Sequence, residues 1–171
     1  RLEAEAVRDA LLATSGQLET TMGGSLLQLK NRAYFFDHTS IDKTTYDSPR
    51  RSLYLPVVRN NVFDVFQLLD FPDPAVSGSN RATTVVASQA LLMLNSDLVM
   101  QAATRFADRL LAEPADADQR LSRLYVIAFG REPTDNERQA DQAFLTRVAQ
   151  AQTRKTDDDT SRQLAWTKLC H

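Results

Sequence analysis

The run Leu94-Asn95-Ser96-Asp97-Leu98-Val99-Met100-Gln101-Ala102-Ala103-Thr104-Arg105-Phe106-Ala107-Asp108-Arg109-Leu110-Leu111 decides the fold class of this chain. Asn95-Ser96 restarts a helix, and Leu98, Ala102, Phe106 and Leu110 then recur every fourth residue on one inward face. The same period extends outward in both directions. Upstream, Ala87 to Leu94 reads as a buried helix. Before it, Val62, Phe63, Val65, Phe66 and Leu69 lie on a short helix that Asn60 or Asn61 can cap. Phe71-Pro72-Asp73-Pro74 ends that helix because proline lacks the amide donor, and residues 77–81 read as a loop. Downstream, Pro114 breaks the chain. Asp116 or Asp118 then caps a helix carrying Leu121, Leu124, Tyr125, Ala128 and Phe129, closed by Gly130. Thr134 and Glu137 form a capping box opening a helix to about Gln152. Residues 153–160 predict a solvated loop around Asp157-Asp158-Asp159. Leu164, Ala165, Trp166, Leu169 and Cys170 begin a last helix.

At the start, Leu2, Ala6, Val7, Ala10, Leu11 and Ala13 mark one face of a helix stopped by Gly16. Glu3, Glu5, Arg8 and Asp9 fall on the opposite face. Residues 17–60 sustain no helical period. Met22-Gly23-Gly24-Ser25 is a turn, and short extended pieces near Leu27 to Phe36 and Leu53 to Val57 predict a small β-ribbon. The fold class is therefore mainly α, an irregular helical bundle with a loop-rich section near residues 17–60. A single domain over residues 1–171 is expected.

Composition supports a soluble globular fold. Of 171 residues, 43% are hydrophobic and 25% charged, ordinary values. A net charge of −2 gives no general attraction to nucleic acid or anionic membrane. No apolar run reaches the ~20 residues that span a bilayer. The single cysteine permits no internal disulfide and no Cys-x-x-Cys-His haem attachment. The chain begins at Arg1 and stops at Cys170-His171 with a helix face still running, so both ends read as cuts within a longer polypeptide.

The candidate site residues lie in Ser48-Pro49-Arg50-Arg51-Ser52-Leu53-Tyr54-Leu55-Pro56-Val57-Val58-Arg59. Arg50, Arg51 and Arg59 alternate with aliphatic residues in a segment that two prolines keep out of regular helix, and a buried guanidinium must find a partner. With Arg81 and Tyr54 they form either an anion clamp for a carboxylate, sulfate or phosphate, or a set of internal ties to Asp70, Asp73 or helix-end carbonyls. Forks fully bonded to protein argue for ties; forks converging on an open cleft argue for a ligand. Arg131, in the Phe129-Gly130-Arg131-Glu132-Pro133-Thr134 hairpin turn, is expected to bond nearby carbonyls or Glu137. His38 beside Asp37 reads as a surface histidine, since two histidines and no cysteine pair do not make a zinc site. The Asp157–Asp159 run lacks the spaced oxygens of a calcium loop. Cys170 is expected to pack in a helix face, although His171 could in principle ligate a haem elsewhere. No catalytic set, P-loop or dinucleotide fingerprint occurs.

Several fragments in order resemble one family. They are Arg1-Leu2-Glu3-Ala4-Glu5 with Arg8-Asp9; Ser15-Gly16-Gln17-Leu18 with Gly23-Gly24; Arg50 to Pro56 with Arg59-Asn60; and Phe71-Pro72-Asp73-Pro74. Further on come Thr83-Thr84-Val85, Gln89-Ala90-Leu91, Leu94-Asn95-Ser96, Phe129-Gly130-Arg131 with Pro133-Thr134 and Glu137, and Ala165-Trp166 with Leu169-Cys170-His171. Together they are similar to the later part of the C-terminal domain of unknown function of large secreted planctomycete proteins that also carry a c-type cytochrome module. Residues 31–47 match none of its motifs.

The resemblance implies a periplasmic, secreted or cell-surface location. It also implies preceding domains of the same polypeptide as partners, and haem c in another domain rather than in this segment. It carries no catalytic residues. The leading expectation is a non-catalytic binding or scaffolding module. One rival is part of an enzyme, degrading polysaccharide or oxidising a small substrate beside the haem, with the arginines holding an anion. Another is a polysaccharide-binding module presenting Tyr34, Phe35, Phe36, Tyr46 and Tyr54.

Overall fold

A computed structural model of the chain describes residues 2–26, 48–58, 62–74, 76–77, 81–152 and 157–171. Among them are seven α-helices: α1 Ala4–Thr14, α2 Asp64–Leu68, α3 Ala87–Asn95, α4 Asp97–Leu111, α5 Ala117–Phe129, α6 Asp135–Gln152 and α7 Asp158–Cys170. The protein is mainly helical, as the periodicity predicts. Its contacts divide it into two compact units, Arg1–Leu12 with Leu18–Met93 and Ala13–Gln17 with Leu94–His171.

The second unit is an apolar helix assembly. α4 packs on α5 and α7, and α6 packs on the same two helices. Phe106, Ala107, Leu110, Leu121, Leu124, Tyr125 and Trp166 form its core. The helix ends follow local chemistry. Ser96 caps α4 by accepting from the Val99 amide. Asp116 and Gln119 cap α5 reciprocally. At α6 the Thr134 amide donates to Glu137 Oε2 at 2.8 Å, and the Glu137 amide donates back to Thr134 Oγ1 at 3.3 Å. Gly130 ends α5 at φ 68°, a left-handed conformation that glycine adopts without a Cβ penalty. The acidic run is not loop throughout. Asp157 caps α7 by accepting from the Thr160 amide at 2.7 Å, while Asp158 and Asp159 sit in its first turn, where the helix dipole favours negative charge.

The first unit has a smaller apolar cluster of Ala4, Leu55 and Phe66, bordered by Leu26, Val62, Phe63, Leu69 and Phe71. Three expectations are corrected here. The buried face of α1 carries Ala4, Arg8 and Leu12, not Ala6 and Ala10, because a loop covers the charged side. Ser52–Tyr54 is a 3-10 turn, with extended backbone resuming at Leu55. α3 buries Gln89 alone and leaves Leu91, Met93 and Leu94 exposed, since Gln89 donates to Asp70 Oδ2 and Thr84 Oγ1. The cap of α2 is Phe63, with no side-chain bond; Asn60 and Asn61 lie outside the described residues. So does the expected ribbon partner near Leu27 to Phe36. One isolated parallel bridge, Glu19 with Arg50, is found.

Candidate functional site

In residues 48–55 the carbonyls of Pro49, Arg51 and Ser52 accept backbone amides, but Ser48 O and Arg50 O are met by a side chain instead. Buried carbonyls need donors, and arginine brings five N–H groups on one planar head. Arg8, on α1 and 1% exposed, supplies them. Its Nη1 donates to Arg50 O at 2.9 Å and Ser52 Oγ at 3.3 Å, and its Nη2 donates to Ser48 O. The next residue, Asp9, takes the donors of the same loop: the Ser52 amide at 2.8 Å and the Ser52 hydroxyl at 2.6 Å. Asp9 also lies 3.5 Å from Arg8 Nη1, which offsets part of the buried charge. Arg8 and Asp9 thus read the loop's acceptors and donors respectively.

Arg50, 8% exposed, repeats the device one layer further out. Its Nη2 donates to Thr21 O at 3.2 Å and to Gly23 O. Its guanidinium lies 4.3 Å from the Tyr54 ring centroid, a cation–π distance. Tyr54 accepts from the Gly23 amide at 3.1 Å and from Arg51 Nη2 at 3.4 Å. The Gly23 amide, with Arg51 behind it, holds the Tyr54 phenol below its usual range. Gly23 and Gly24 have φ of 77° and 74°, so the turn that meets Arg50 and Tyr54 needs glycine.

Arg81 is tied separately, to α1. Its two terminal nitrogens meet Glu5 Oε2 at 2.7 Å and Oε1 at 2.9 Å, and its Nε lies 3.5 Å from Glu3. The bidentate bond pulls the Glu5 carboxyl below its ordinary value and raises Arg81. A hollow of about 150 Å³ adjoins it, lined in part by Glu3, Asp70 and Arg81. Asp70 has φ 63°, and its carboxylate accepts from the Thr84 amide at 2.8 Å and the Thr84 hydroxyl at 2.6 Å.

The structure therefore brings Arg50, Arg51 and Tyr54 together, and places Arg81 on Glu5. Arg59, His38, Tyr34, Phe35, Phe36 and Tyr46 lie outside the described residues. The carboxylates that Arg81 meets are Glu5 and Glu3, and Arg50 meets loop carbonyls. The buried Nε atoms of Arg50 and Arg51 have no hydrogen-bond partner. Sequence reasoning missed Arg8, Asp9 and Glu5. The available signal was their i, i+3, i+4 spacing on one helix face, opposite an arginine-rich segment that forms no helix.

In the second unit Arg131 pairs with Glu137 at 2.8 and 2.6 Å, as expected from the turn, and lies over the rings of Tyr125 and Phe129. Arg131 and the Thr134 cap together hold Glu137 down to about 2. Burial, with Asp141 accepting at 2.9 Å, pushes the Tyr125 phenol up to about 12. Cys170 packs against the apolar core, and burial raises its thiol to about 12. One protonated, partly buried thiol does not fit covalent haem attachment, which needs two. Among the described residues no group of three or more His, Cys, Asp or Glu is placed to hold a metal ion. No helix of the described residues is long and apolar enough to cross a membrane.

These features define a helical protein in which the buried Arg8 clips an irregular segment onto the first helix. The chain belongs to the PSD1 family, described as protein of unknown function (DUF1553), whose model matches residues 1–145. No curated protein and no solved structure matches the chain.

Proposed function

We propose that this chain is a non-catalytic binding or scaffolding module of a secreted or cell-surface planctomycete protein that also carries a c-type cytochrome. It works by presenting a stiff surface to the preceding domains of its own polypeptide. The observation that carries the proposal is Arg8: a fully buried fork whose terminal nitrogens go to Ser48 O, Arg50 O and Ser52 Oγ. A guanidinium held by the loop it supports is not offered to a substrate. Arg50 and Arg81 follow the same rule through Thr21 O, Gly23 O and Glu5.

The test uses the full-length polypeptide with its neighbouring domains. Haem is measured by its absorbance, location by cell fractionation, and turnover on polysaccharides and on small reductants. The proposal expects haem outside this segment, and any turnover to survive Arg51→Ala and Tyr54→Phe. Turnover lost in both variants, with thermal stability retained, would place the arginine cluster in an enzyme site instead.

A further inference from the structure

We draw no further inference here: the strongest candidate, the apolar face of α3, where Leu91 and Leu94 lie exposed and Gln89 takes the buried position, carries nothing, because nothing in the structure shows what covers it.

Discussion

The two units solve the same problem by opposite means. In the second, helices satisfy their own backbone groups, and the interior can be apolar: Leu110 and Leu121 are fully buried, and no charged side chain is among its described buried residues. In the first, the irregular backbone leaves Ser48 O and Arg50 O to a side-chain donor, and the interior contains one. Arg8, Arg50 and Ser52 are accordingly among its buried residues, beside a much smaller apolar cluster. Irregular backbone is a sufficient reason for the burial of Arg8 here.

That contrast can be broken first at its polar end. Arg8→Met leaves Ser48 O, Arg50 O and the Asp9 carboxylate without the fork, and should cost about 3–5 kcal/mol, as removal of one partner from a buried ionic network does. Urea unfolding measures it, and hydrogen exchange at the Ser52 amide localises it. Arg8→Lys should recover little, because an ammonium cannot span both carbonyls. A loss below 1 kcal/mol in Arg8→Met would mean that the loop is held by something else.

At the apolar end, Leu121→Ala should cost about 3 kcal/mol through lost burial and the cavity left behind. Denaturant unfolding followed by Trp166 fluorescence reads it, since both residues belong to one core. Smaller again is Gly130→Ala. Nothing lies within 4 Å of the added Cβ, so the expected cost of about 1 kcal/mol is backbone strain alone, visible as a modest fall in melting temperature. Equal stability of this variant would mean that the α5 end relaxes to another conformation.

The smallest effect is pH-dependent and belongs to Glu137. Its folded value of about 2 lies below its ordinary 4.5. A depressed carboxyl contributes stability that is present above the unfolded value and lost as pH falls through the folded one. The stability gap between the unaltered chain and Glu137→Gln should therefore be full above pH 4.5 and close as the pH approaches 2. A gap that persists unchanged at acid pH would assign the effect to packing, not to the Arg131 pair.

The legible parts of the fold were those whose signals are local. Asp116, Gly130 and the Thr134 box act within a few residues, and each sits at its helix end as its chemistry requires. Leu110, Phe106 and Ala102 face the core because nothing competes with their burial. The candidate site was legible by half. Arg50, Arg51 and Tyr54 are together, but their anchor on α1 was hidden. A hydrophobic period assigns charged residues to water, and Arg8 and Asp9 face a loop 40 or more residues away, whose orphan carbonyls no period encodes. α3 misled for the converse reason: its leucines carry an apolar pattern, but Gln89 holds the buried position through Asp70 and Thr84. Asp157 to Asp159 looked like solvated loop because charge runs are read as soluble before they are read as caps.

The most direct measurement is a titration of the chain with sulfate and with citrate, followed by NMR at the Nε–H signals of Arg50, Arg51 and Arg81. If these side chains serve the fold, their signals stay in place apart from small unsaturable drifts with ionic strength. A saturable shift of Arg50 and Arg51 at a common midpoint would contradict the account and assign the cluster to an anionic ligand.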